Sequence, residues 1–156
     1  SWVIGLDLLK RNPLFGAGYG NYLEYNYLTA HNSFVLCFAE LGLLGYFVWM
    51  GLIVLTFKGL NRTLDQLPAG SPAWQTASLL RSSMVGYLTC AWFLSRTYGP
   101  ALFFLLALCI GAWHCAVRSM PTHQVPAPLL SIDWRRDTLR LMGLTIFGVM
   151  LFVRSH

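Results

Sequence analysis

Charge is scarce in this chain, and negative charge most of all. Six acidic and eleven basic residues make up only 11% of 156 positions, against about 25% in an ordinary soluble domain. So little charge excludes a well-hydrated globular surface. With 56% hydrophobic residues, the composition indicates an integral membrane protein. Cysteine is sparse as well. Cys37, Cys90, Cys109 and Cys115 each lie in an apolar run, and none belongs to a C-x-x-C pair. That argues against a disulfide framework and a zinc ribbon, and favours small apolar fillers. His114 and Cys115 are adjacent, so on a helix they point in different directions and make no metal site. The net charge of +5 lacks a basic patch interleaved with aromatics, which argues against nucleic acid as a partner. An opening Met and a basic-then-apolar leader are also missing at Ser1, so the chain reads as a later part of a longer protein.

What is present is a series of apolar runs. The expected fold is all-α: a polytopic transmembrane helical bundle of three to four membrane helices, preceded by the end of a periplasmic loop. Residues 1–30 form that loop end and residues 31–156 the transmembrane region. Crossings are expected at about 34–57, 77–95, 101–117 and 141–153, each judged against the ~20 apolar residues a span requires. The last is short, and reads as a thin crossing or a partial one. Within the loop, "SWVIGLDLLKR" has the spacing of a short amphipathic helix ended by Asn12-Pro13. "GAGYGNYLEYNY" is turn-rich and dense in tyrosine. A polar Pro/Gly linker is expected over 59–76, and a basic, proline-rich loop over 118–137.

Basic residues divide between two sets of helix ends. One set carries Lys58, Arg62, Arg81, Arg118, Arg135, Arg136 and Arg140; the other carries Lys10, Arg11, Arg96 and Arg154. The richer set is expected to be cytoplasmic. His31 then faces the outside, which in a bacterium is the periplasm.

The stretch "YLTAHNSFVLCFAELGLLGYF" places His31, Asn32 and Ser33 at the mouth of an apolar helix. Asn32 or Ser33 can cap it. A helix N-terminus presents unpaired N–H groups and partial positive charge, which favour anions such as phosphates and a neutral imidazole. His31 therefore suits a general base, with Asn32 orienting it or a ligand. The plainer reading is an interfacial histidine beside a capping asparagine. Glu40, nine residues on, lies about 13 Å along the helix and on its opposite face. A direct His31–Glu40 pair is therefore not expected. An intramembrane acid is costly and is usually paired or functional. We expect Glu40 to bond a neighbouring helix, with Gly42 and Gly45 admitting that helix closely. Tyr19, Tyr22, Tyr25 and Tyr27 suit either an aromatic belt or stacking on sugar rings.

"NPLFGAGYGNY" at Asn12 to Tyr22, followed by "AHNSFVLCFAELGLLGY" at Ala30 to Tyr46, resembles the O-antigen ligase/polymerase superfamily. The resemblance covers about a third of the chain, from Leu6 to Phe57. It implies a polytopic inner-membrane glycosyltransferase of the GT-C kind. Its donor is a glycan on undecaprenyl diphosphate, and its acceptor is lipid A-core or a growing polysaccharide. Neither a metal nor a nucleotide sugar is implied as cofactor. The motif histidine falls on His31, which is expected to activate the acceptor hydroxyl or assist at the diphosphate. The family's upstream diphosphate-gripping arginines have no matching position here, so the fragment is expected to be inactive alone. Arg11, Arg96 and Tyr27 are the candidate substrate-binding residues, Asn32 joins His31 as catalytic, and Glu40 is structural. Membrane lipids are the other expected partner. A transport component using Glu40, or a purely structural subunit, are the readings from other classes.

Overall fold

The structure is a computed structural model that describes residues 1–119 and 133–155. Six helices follow one another: α1 (Trp2–Arg11), α2 (Tyr22–Tyr25), α3 (Ser33–Gln66), α4 (Pro72–Phe93), α5 (Pro100–Ser119) and α6 (Arg135–Ser155). No strand occurs among the described residues, and the fold is an all-α polytopic bundle. Most of the basic, proline-rich loop expected over 118–137 lies outside the described residues.

Three described helices are long and apolar enough to cross a membrane: Ser33–Gln66, Pro100–Arg118 and Arg135–Ser155. The crossing expected at 77–95 falls on α4, which does not qualify. Its 22 residues suffice in length, but Arg81 and the serines and threonines at 76, 78, 82, 83 and 89 dilute its apolar content. Three of those hydroxyls turn back onto the helix: Thr76, Ser82 and Ser83 donate to the carbonyls of Pro72, Ser78 and Leu79.

The linker expected over 59–76 is mostly helix. α3 continues past Lys58 and Arg62 to Gln66, because Lys, Arg and Gln are straight-chain residues that favour helix, and water receives the charges. Only 67–71 breaks the chain, at "LPAGS". Pro72 and Pro100 each occupy a first helical position, where their missing N–H costs nothing. α6 runs 21 residues, longer than the 13 expected from its apolar core.

The chain divides into two compact units. The first comprises Ser1–Gly51, Thr89–Tyr98 and Arg135–His156. An aromatic cluster fills it: Phe34 meets Trp49 and Trp92 at 5.4 Å, and Tyr46 stacks on Trp49 and meets Phe38 edge-on. The Tyr46 and Thr145 hydroxyls, 2.6 Å apart, tie α3 to α6. The second comprises Leu52–Leu88 and Gly99–Trp134. Its buried residues include Ile53, Leu60, Met84, Cys109 and Trp113. At its polar end Lys58 donates to the Asp133 carbonyl and Arg81 to Asn61.

Candidate functional site

Two parts of the first unit matter: the mouth of α3 at Ser33, and a break further along it at Gly42.

At the mouth, the Asn32 side-chain oxygen accepts from the amides of Phe34 (2.9 Å) and Val35 (3.0 Å). Asn32 is therefore the cap, since its oxygen satisfies two of the helix's four orphan donors. The Asn32 carbonyl accepts from Leu36 N–H as the first regular bond of the helix. This corrects one expectation. Two of the amides expected to attract an anion, those of Phe34 and Val35, are consumed by the Asn32 side chain. Asn32 is fully buried, and its amide nitrogen has no partner.

Ser33 fastens the mouth to the turn after α4. Its hydroxyl donates to the Leu94 carbonyl (2.5 Å) and accepts from the Arg96 amide (2.8 Å). Thr97 donates to the Ser33 carbonyl, and Trp49 donates to the Thr97 carbonyl. Ser95 donates to Thr29 Oγ1. On the other side, the Trp2 indole donates to the Ala30 carbonyl at 2.9 Å.

His31 sits between these anchors with φ +51°, the one non-glycine residue with positive φ among those described. That conformation is sterically unfavourable and persists only where neighbours over-determine it. Here Ala30 and Asn32, on either side, are both held and fully buried. The imidazole itself is exposed. It forms part of the wall of an open groove of about 520 Å³, shared with Trp2, Phe93, Phe152 and Val153. Mostly apolar walls and one imidazole give a place where a lipid-like group can lie beside a polar side chain.

At the break, Gly42 has φ +64° and ψ −168°, which interrupts α3. Into this gap fits the turn of "NPLFGAGYG". The amides of Leu43 and Leu44 donate to the carbonyls of Pro13 (2.8 Å) and Leu14 (3.2 Å), and those of Ala17 and Gly18 to the carbonyls of Ala39 and Glu40 (both 2.9 Å). The loop replaces the helical bonds that the break removes. A Cβ at Gly16 would stand 2.5 Å from the Glu40 backbone. One at Gly42 would meet the Leu14 carbonyl even more closely. The two glycine motifs are thus the two halves of one backbone joint. The expectation that Gly42 and Gly45 admit another helix is corrected: a loop docks at Gly42, and at Gly45 the space is taken by Leu41 of the same helix.

Glu40 is 3% exposed and its carboxylate accepts from the Tyr22 amide at 3.2 Å. It therefore serves this chain's own loop, at the start of the one-turn α2. Tyr98 shares its surroundings. Burial, with the Cys37 thiol and Glu40 carboxylate nearby, raises the Tyr98 hydroxyl far above its ordinary range. That hydroxyl is buried and unpartnered, and its ring lies 4.9 Å from that of Tyr19.

The structure thus brings His31, Asn32 and the Arg96 backbone together. Glu40 stands apart from them. Arg11 is also placed elsewhere: it pairs with Asp7 at 2.8 Å, at the end of α1 remote from Trp2 and the groove. Tyr27 is 89% exposed, four residues before His31. Sequence reasoning offered Ser33 only as a cap and missed its ties to Leu94 and Arg96; it also missed Thr97 and Tyr98, and the groove walls Trp2, Phe93 and Phe152. The one available signal was the polar "SRTYG" turn amid apolar runs. Cys90 and Cys115 are exposed, so only Cys37 and Cys109 are core fillers.

Compared with protein-family models, curated proteins and solved structures, the chain matches none.

Proposed function

We propose that the protein is a membrane glycosyltransferase of the O-antigen ligase/polymerase kind. It moves a glycan from undecaprenyl diphosphate to an acceptor hydroxyl, on lipid A-core or a growing polysaccharide, at the outer face of a bacterial inner membrane. The observation that carries this reading is His31: a solvent-exposed imidazole held at φ +51° on the wall of an apolar groove. Strain kept at one exposed polar residue is characteristic of functional positions.

In this reading the imidazole takes the proton of the acceptor hydroxyl. The oxygen attacks the anomeric carbon, the bond to the diphosphate oxygen breaks, and the configuration inverts. Arg96 is the cation whose backbone the fold fixes beside the mouth of α3, and it is assigned to the departing diphosphate. The polyprenyl chain lies along Trp2, Phe93 and Phe152.

Replacing His31 by alanine in the full-length protein should abolish glycan transfer, read on a gel of surface polysaccharide, at unchanged membrane protein level. Retained turnover defeats the proposal, as does topology tagging that puts residue 31 in the cytosol. A knockout that accumulates unpolymerised units identifies a polymerase; one that accumulates polymer without attachment identifies a ligase.

The buried Glu40 beside a broken helix favours one rival, an ion or proton site in a transporter. Its carboxylate is engaged by Tyr22, however, and the broken ends are paired with the loop. Transport predicts damage from Glu40→Gln and little from His31→Ala.

A further inference from the structure

Within the first unit, α3 and α6 leave a second groove open between them. Both helices are candidate membrane spans. Leu43, Leu44 and Phe47 of α3 and Met142, Gly143 and Ile146 of α6 line it, and its volume is about 520 Å³. It shares no residue with the groove beside His31. On α6 its floor is a glycine. Gly143 is exposed, and among the described residues a Cβ there would meet nothing within 4 Å. Packing against those residues therefore does not call for glycine, and a larger side chain would stand in the groove. Leu139, one turn towards the start of α6, also lines it and is 60% exposed.

The groove runs up to a cluster of positive charge. At about 100° per residue, Arg136 and Arg140 stand roughly 20° and 60° from Gly143 around the helix. Both are exposed, and both continue the line of the groove towards the start of α6. Asp137 pairs with Arg140 at 3.4 Å. It falls about 120° from Gly143, off that line. Over 135–140, three arginines stand against this one acid. Arginines at the end of a span reach for the headgroup level. From Arg136 to Ile146 is about 15 Å of helix. That is about half of a ~30 Å hydrocarbon layer, the depth that one acyl chain occupies.

We propose that this groove holds an anionic glycerophospholipid of the leaflet in which α6 begins. Its phosphate lies between Arg136 and Arg140, and one acyl chain runs along 139–146 against Leu43, Leu44 and Phe47. This does not depend on the enzymatic reading. Apolar walls alone would accept another helix equally well. The charge at the groove's mouth selects a lipid, because a phosphate at headgroup level offers oxygens to both guanidinium forks. It also selects among lipids, because a zwitterionic head brings a cation that the arginines repel.

The test uses the full-length protein in dodecyl maltoside, titrated with palmitoyl-oleoyl phosphatidylglycerol or phosphatidylcholine. Bound lipid is counted by native mass spectrometry. Phosphatidylglycerol should bind at least tenfold more tightly than phosphatidylcholine. Arg136→Gln combined with Arg140→Gln should remove that preference and leave phosphatidylcholine binding as it was. Gly143→Leu adds a side chain at a position open among the described residues. It should keep the wild-type circular dichroism and weaken both lipids at least tenfold. Equal binding of the two lipids by wild type, or binding of neither, overturns the proposal. So does a Gly143→Leu protein with wild-type affinity. A disulfide between two copies of Gly143→Cys, with Cys37, Cys90, Cys109 and Cys115 replaced by alanine, also overturns it, because a second copy then fills the groove.

Discussion

His31 holds a left-handed backbone that glycine adopts freely and histidine does not. If the histidine is retained for chemistry, His31→Gly should stabilise the solubilised protein by about 1 kcal/mol while transfer is lost. Thermal unfolding and a transfer assay on the same preparation check both halves. A glycine variant less stable than wild type removes the strain argument. Its neighbour separates capping from ligand binding. Asn32→Ala loses the acceptor for Phe34 and Val35 and should cost about 1–2 kcal/mol. Asn32→Asp keeps an acceptor but removes the unpartnered N–H2. It should leave the folded level near wild type and lower transfer. Equal transfer by Asn32→Asp and wild type means that the amide nitrogen touches no substrate. Tyr22 carries a pH dependence. Burial foremost, with Glu40 adding to it, raises its hydroxyl from 10.0 to about 12. The folded state prefers the neutral phenol, so the stabilisation is complete below pH 10. It falls as pH rises from 10 to 12, by roughly 2–3 kcal/mol. A denaturation series in that window should show the decline, and Tyr22→Phe should not.

Elements here are joined by backbone more than by side chains. The loop from Pro13 to Gly18 and the helix from Ala39 to Leu44 exchange four hydrogen bonds, and both glycines are needed for the approach. Gly42→Ala adds a methyl that strains φ and strikes the Leu14 carbonyl. It should destabilise by about 3 kcal/mol or more. Gly20 has φ +80° but open space around its Cβ position. Its alanine variant should therefore cost only about 1 kcal/mol. Comparable losses at the two positions, measured by thermal unfolding in detergent, mean that the joint does not hold the elements together. The glycine-rich segments are visible in the sequence as two separate motifs. Their complementarity is not, because a hydrogen bond between chain segments about thirty residues apart leaves no periodicity to read. Helix α4 shows the converse. Its existence is legible in the sequence, but the crossing expected at 77–95 falls on a helix less apolar than the three that meet the requirement for a span.

Across the whole molecule, three described helices meet the requirement for crossing a membrane. Within the first unit, Trp2 touches both Ala30 and Phe152, so the mouth of α3 and the end of α6 share one level. A reporter inserted after Tyr27 and one fused after Ser155 should therefore score on the same side of the membrane. Opposite scores in a phosphatase–fluorescence pair show that α6 does not span as described.

Composition and apolar run length were enough to establish a helical membrane protein, because hydrocarbon admits only backbone whose hydrogen bonds are satisfied within it. They also brought out His31, Asn32 and Glu40, the polar residues that interrupt an apolar context. The fold alone decided what each does. It spent the helix-end amides on Asn32, gave Glu40 to the Tyr22 amide, parted Arg11 from the groove, and set the strained turn of His31. The Asn32 cap and the Arg11–Asp7 pair are local contacts, but the Glu40 and His31 outcomes depend on which distant segment comes to lie against them, and no local pattern of side chains carries that information.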